Sequence, residues 1–157
     1  MGVVTERLSE LGIVLPSIAP ASGNYIAHRF VGSLLFISGQ IPRIDGREHF
    51  VGVVGQDVTP GDGYRAARLC ALNVVARISA ALDGDLDRVL ACVQLRGFVN
   101  ATPDFKGHPA VIDGASDLLV EIFGENGRHV RTALGAGSLP RGSSVEVDAV
   151  FEVAMKS

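Results

Sequence analysis

The sequence predicts an α+β domain in which a mixed β-sheet carries two helices on one face. Two segments, residues 60–82 and 108–123, place apolar residues at helical spacing. The segments around them alternate, or are apolar throughout, as strands do. The resulting order is β-β-(β)-α-β-α-β-β, and two amphipathic helices in such an order cover one face of the sheet. Residues on the opposite face are mixed in character. That predicts subunit association across it, with a pocket where subunits meet.

Taken in order, residues 3–12 predict a short helix with Val4, Leu8 and Leu11 on one side. Residues 15–23 contain Pro16, Pro20 and Gly23 and predict a loop. Residues 25–31 and 34–38 read as a hairpin across Gly32-Ser33, the second arm (Leu-Leu-Phe-Ile-Ser) being apolar like a central strand. A turn over 42–47 precedes a short strand near 48–53. Thr59 is a good N-cap, Pro60 suits the first helical position and Asp62 suits the positive helix start. The stripe Tyr64, Ala67, Ala71, Val74, Val75, Ile78 and Leu82 follows, and Gly84 ends that helix. Residues 89–100 predict a long strand with Val93, Leu95, Gly97 and Val99 on one side. His108-Pro109 opens the second helix, whose stripe is Val111, Ala115, Leu118, Leu119, Ile122 and Phe123, and Gly124 closes it. Residues 129–135 and 143–154 predict the last strands. In the latter, Val145, Val147, Ala149, Phe151 and Val153 face one way and Glu146, Asp148 and Glu152 the other.

Composition bounds the function. A chain of 157 residues is expected to form one domain, 1–157, burying about two-thirds of the surface its unfolded form exposes. No apolar run approaches the ~20 residues of a membrane span. The charged N-terminal segment has no apolar signal-peptide core, so the expected location is the cytoplasm. The net charge is −3 and the 14 Lys and Arg residues are scattered, which argues against polyanion binding. Cys70 and Cys92 have no metal or redox spacing and are expected to be reduced and buried. His28, His49, His108 and His129 form no ligand pair, so no metal site is expected. The run Asp83-Gly-Asp-Leu-Asp87 imitates a calcium loop but has Arg88 and Gln94 where Gly and Glu are required; it reads as a helix-to-strand turn.

The chemistry concentrates in residues 128–150. Arg131 and Glu146 fall near the facing ends of two strands that read as neighbours, joined through Gly135, Gly137, Pro140 and Gly142. A planar guanidinium grips a carboxylate bidentately, which Lys cannot do. A positioned carboxylate can move a proton or direct a water.

Three segments occur in a telling order: Pro20-Ala-Ser-Gly-Asn-Tyr25, Phe36-Ile-Ser-Gly-Gln-Ile-Pro42, and Arg131-Thr132 with Glu146 fifteen positions on. Together they resemble the reactive-intermediate deaminase family (Rid or YjgF, endoribonuclease L-PSP-like), with element order agreeing from about residue 20. The resemblance implies a chorismate-mutase-like fold, a homotrimer with sites between subunits, and no metal or organic cofactor. It implies cofactor-independent hydrolysis of 2-imino acids or their enamines to 2-keto acids and ammonia. Arg131 then maps to the carboxylate-gripping Arg, and Glu146 to the Glu that positions water. Tyr25 maps to a pocket-lining Tyr, Gly39 to a backbone approach to substrate, and Ala133 to the residue whose N–H helps hold the carboxylate.

The chain departs from the family pattern. Residues 1–19 form an N-terminal extension, His129-Val130 stands where many members have Pro-Ala, and Ala133 where many have Cys. The alternatives are a non-enzymatic trimeric protein that binds or senses small carboxylates, and a ribonuclease, which the acidic balance disfavours. A chorismate-mutase role would rest on fold alone.

Overall fold

The computed structural model describes residues 2–156. Its elements are α1 (Val3–Glu10), β1 (His28–Val31), β2 (Leu34–Gln40), β3 (Arg43–Ile44), β4 (Arg47–Glu48), α2 (Pro60–Ala81), β5 (Val89–Asn100), α3 (His108–Phe123), β6 (Val130–Ala136) and β7 (Val145–Val153). Five strands form a mixed sheet in the order β1-β2-β7-β5-β6, in which only β5 and β6 are parallel. Both long helices lie on one face, as the sequence predicts. Among the described residues no helix is long and apolar enough to cross a membrane.

The core is the layer between that face and the helices. From β7 it takes Val145, Val147, Ala149, Phe151 and Val153, and from β2 Leu35 and Ile37. Opposite them lie Ala67, Ala71, Val74, Val75, Ile78 and Leu82 of the first stripe, and Val111, Ala115, Leu118, Leu119 and Ile122 of the second, all buried. Tyr64 stays at the margin, where its hydroxyl donates to Asp117 Oδ2 at 2.6 Å. Thr59 caps α2 by accepting from the Asp62 amide at 3.1 Å. Cys70 and Cys92 are buried free thiols, and burial pushes Cys92 up to about 12.

Four readings need correction. The last two strands are not neighbours: β5 lies between β6 and β7, pairing parallel with one and antiparallel with the other. Val93 does not share the face of Leu95. The register slips by one residue between Cys92 and Gln94, a β-bulge that turns Cys92 into the core and leaves Val93 at the surface. The expected strand near 48–53 is instead the small β3–β4 hairpin, which turns through Asp45 (φ 50°) and Gly46 (φ 78°). Leu11 ends up at the surface while Leu8 alone of α1 is fully buried.

The run Asp83–Asp87 is a turn, as expected, and it has a further role. The Asp87 carboxylate accepts the amides of Val3 and Val4 at 3.0 and 2.9 Å, so it caps α1 from outside the helix and docks the N-terminal extension.

Helices α2 and α3 approach backbone to backbone at Gly114. A Cβ there would collide with the Tyr64 carbonyl and press on the Arg68 amide, atoms that cannot step aside as a flexible side chain can. Gly114→Ala is expected to lower stability by about 1–3 kcal/mol or more. Gly137→Ala, where a Cβ meets nothing within 4 Å, should change it by less than about 1 kcal/mol. Urea unfolding of both variants checks the contrast.

Candidate functional site

Tyr25, Gly39 and Glu146 meet in one cleft of about 400 Å³. A β-bulge builds it. Ile37 pairs with Ala149 and Gln40 with Val147, so β2 carries one extra residue at Ser38-Gly39. The bulge turns the Ser-Gly-Gln backbone towards Glu146. An added Cβ on Gly39 would sit 3.0 Å from Glu146 Cδ and Oε2, so glycine here lets the carboxylate lie against the chain. Ser38 Oγ donates to the Ile26 carbonyl at 2.8 Å, tying the bulge to the loop that carries Tyr25. Tyr25 precedes β1 and is exposed.

Glu146 extends from β7 on the face opposite the helices and is half-buried. Burial, reinforced by nearby Asp148, pushes its carboxyl above the usual glutamate range. Asp148 itself is gripped by Arg96 through two bonds of 2.9 and 2.6 Å.

The cleft also holds residues to which the sequence pattern assigns no role. Asn73 and Arg77 reach it from α2, and Arg43 and Arg141 lie at its edge. Asn73 Nδ2 donates to the carbonyls of Ile41 and Arg43 at 3.0 and 2.9 Å, fixing the chain as it leaves β2. Arg77 Nε donates to Gln40 Oε1 at 3.4 Å, and Gln40 Nε2 donates to the Ser38 carbonyl at 3.0 Å. The available signal is a polar pair at i, i+4 within an otherwise apolar helical segment, Leu72 to Ile78.

Arg131 is not in this cleft. It lies on the edge strand β6, opposite buried Leu95 of β5, and points to the helix side. Glu146 is two strand spacings away, three residues along the register and on the other face, so the two are roughly 14 Å apart or more. Arg131 Nη1 donates to Asp113 Oδ1 at 2.7 Å and to Ser116 Oγ at 3.2 Å. Both protein bonds use one nitrogen, so the Nε–Nη2 edge has no hydrogen-bond partner among the described residues. That edge is the one suited to bidentate carboxylate binding. His129 extends the network. Its Nδ1 lies 2.7 Å from the Gly127 carbonyl, which can only accept, so Nδ1 carries the proton and Nε2 accepts from the Ser116 hydroxyl at 2.9 Å. Burial pushes the imidazole below its usual range, and Arg131 acts in the same direction. A shallow second cleft is lined by Ser116, Arg128, His129 and Arg131. Ala133, two residues on, packs against the core opposite Gly97. Among the described residues no cluster of His, Cys, Asp and Glu could hold a metal.

Glu146 makes the site's electrostatics measurable. Its pKa is higher in the folded than in the unfolded chain, so the neutral acid is favoured by folding. Ionisation then costs stability above the folded pKa, and the cost vanishes below the ordinary glutamate range, about pH 4. Glu146→Gln is expected to raise Tm at neutral pH and to match the parent at roughly pH 3. Thermal melts across that range check it, and a lower neutral-pH Tm for the variant would contradict it.

Comparison with known proteins bears on this geometry. A protein from Trypanosoma cruzi, "Protein TCP17", is 46% identical over 153 residues, covering 97% of this chain and 95% of its own. The crystal structure of a "putative endoribonuclease" from Shewanella oneidensis superposes with a TM-score of 0.93 at 39% identity, covering 97% of this chain and 100% of that one. E. coli TdcF, solved with bound serine, shares the fold with a TM-score of 0.59 at 22% identity, over 86% of this chain and 92% of its own. Residues 5–153 match the family described as "YjgF/chorismate mutase-like, putative endoribonuclease". With that match over nearly the whole chain, and the bulged Ser-Gly-Gln strand set against Glu146, the protein belongs to the YjgF family.

Proposed function

We propose that this protein hydrolyses reactive 2-imino acids, or their enamine tautomers, to 2-keto acids and ammonia, without a metal or organic cofactor, at sites formed between copies of the chain in a homotrimer. The observation that carries the reading is the free Nε–Nη2 edge of Arg131, held by Asp113 and Ser116 on the far side of the guanidinium. It is a carboxylate grip already oriented before any ligand arrives. Because Arg131 and Glu146 lie on opposite faces of one sheet, one small substrate reaches both only if β6 of one copy adjoins the Glu146 cleft of another. The serine bound by TdcF is a small amino acid, in keeping with a ligand of this size and charge.

In this reading the substrate carboxylate sits on Arg131, supported by the amide of Ala133. Tyr25 and the Gly39 backbone enclose the imine carbon. Water adds to that carbon, forming a C–O bond, while the imine nitrogen takes a proton. Glu146 accepts a proton from the water and passes it to nitrogen. Glu146 then carries the hydroxyl proton of the resulting carbinolamine to its nitrogen; the C–N bond breaks as the C=O bond forms, releasing ammonia and leaving the keto acid. A carboxylate pushed above its usual range is suited to giving a proton as well as taking one. Imines are reactive already, and a positioned carboxylate supplies about 10²–10⁴-fold.

Decay of 2-iminopropanoate and 2-iminobutanoate, generated in situ by an amino acid oxidase, tests the reading. The parent should accelerate keto-acid release, and Arg131→Ala and Glu146→Gln should each lose roughly 100-fold or more of that acceleration. Light scattering should give three times the chain mass of 16.5 kDa. No acceleration by the parent, or full activity in Arg131→Ala, would sink the proposal. A carboxylate-binding protein without turnover would use the same Arg131 edge; it is distinguished by keto-acid binding that Arg131→Ala abolishes in the absence of any acceleration.

A further inference from the structure

The cleft around Glu146 holds three arginines, and two of them are paired. Arg43 Nε and Arg141 Nη1 each lie 3.5 Å from Glu48 Oε1. Arg77 has no ion-pair partner among the described residues. Its side-chain hydrogen bonding among the described residues is the long contact of 3.4 Å to Gln40 Oε1, which engages Nε and leaves both terminal nitrogens without a protein partner there. It lies only partly open to solvent, on a helix whose neighbouring residues Val74, Val75, Ala76 and Ile78 are buried. A guanidinium so placed is partly desolvated, and burial lowers its pKa, with Tyr25 acting in the opposite direction. Glu146 does not compensate it. The two residues share the cleft, but Glu146 is governed by burial and Asp148 rather than by any cation.

We infer that Arg77 binds a second anionic group of the substrate, so that the cleft selects dicarboxylic 2-imino acids over those with a neutral alkyl side chain. The inference rests on the deaminase reading above: Arg131 takes the carboxylate beside the imine and Arg77 takes the distal one. The placement supports that division. Gln40, which orients Arg77, immediately follows Gly39, which lies against Glu146. Arg77 and Glu146 line the same cleft at the end of β2, so a substrate whose imine carbon faces Glu146 can extend within it to Arg77. An alkyl substrate would leave the guanidinium unpaired in the cleft, and sites built to pair a polar group reject analogues that lack it far more strongly than apolar pockets reject an extra methylene. Arg77 is a specificity residue in this scheme, remote from the proton transfers.

The experiment is calorimetric binding of two stable keto acids, 2-oxoglutarate and 2-oxobutanoate, to the parent, Arg77→Gln, Arg77→Lys and Arg131→Ala. The parent is expected to bind 2-oxoglutarate at least tenfold more tightly. Arg77→Gln should abolish that preference and leave 2-oxobutanoate within about twofold of the parent, in keeping with loss of one charged contact. Arg77→Lys should keep part of the preference, since it keeps the charge but not the fork. Equal affinities in the parent, no binding of either acid, or an Arg77→Gln variant that weakens both acids alike would overturn the inference. Arg131→Ala separates it from the reading it rests on. If that variant binds both acids as the parent does while the Arg77-dependent preference persists, Arg131 is not the carboxylate grip, and the selectivity of Arg77 stands.

Discussion

The two-residue alternation of β7 is the constraint on which the rest of the structure depends. β7 pairs with β2 on one side and β5 on the other. Its odd-numbered residues from Val145 to Val153 are all buried beneath the helices. A strand that commits one face so completely cannot slip by a residue without turning five apolar side chains out. Its even-numbered residues are fixed by the same rule. Glu146 and Asp148 must therefore emerge on the other face, next to each other, where burial and mutual repulsion act on Glu146. The carboxylate's altered acidity is thus a by-product of core packing, set before any ligand is considered.

The fold was largely legible in the sequence because its helices carry their own signals. Thr59-Pro60 and His108-Pro109 mark starts, and Gly84 and Gly124 follow the ends closely. What was not legible was the arrangement of strands across the sheet. Chain order places β6 beside β7, but the crossover through α3 lays β6 parallel to β5 and leaves the antiparallel edge of β5 for β7. Periodicity within a strand says nothing of which neighbour it takes. The bulge at Cys92–Gln94 is hidden for a related reason: Val93, Leu95, Gly97 and Val99 read as one unbroken apolar alternation, and only the fold shows that Cys92, not Val93, joins Leu95 and Val99 in the core.

The same distinction applies to the site. Tyr25, Gly39 and Glu146 were found by pattern, and they converge because the β2 bulge and the Ser38–Ile26 bond bring loop and strand together. Arg131 was found by the same pattern but belongs to another surface, since its side chain follows the phase of Leu95 rather than that of Glu146. Arg77 gets no role from the sequence alone, because one charged residue in a helical stripe looks like the solvent face. Only the third dimension shows that this part of α2 overhangs the end of β2, where Asn73 holds two carbonyls of the departing chain.

The extra residue in β2 also divides that strand into two parts with separate obligations. From Leu34 to Ile37 its alternation answers to the hairpin and to the core. Beyond Ser38-Gly39 the phase is reset, and Gln40 answers to the cleft. Changes on one side of the insertion are therefore not transmitted as a change of facing on the other. A lineage could remodel the floor of the cleft through Gln40 and its partners while Leu35 and Ile37 stay under purely structural selection. Loss of the single inserted residue would rejoin the two parts, leave Gln40 opposite Val147 and remove the bulge that sets Gly39 against Glu146.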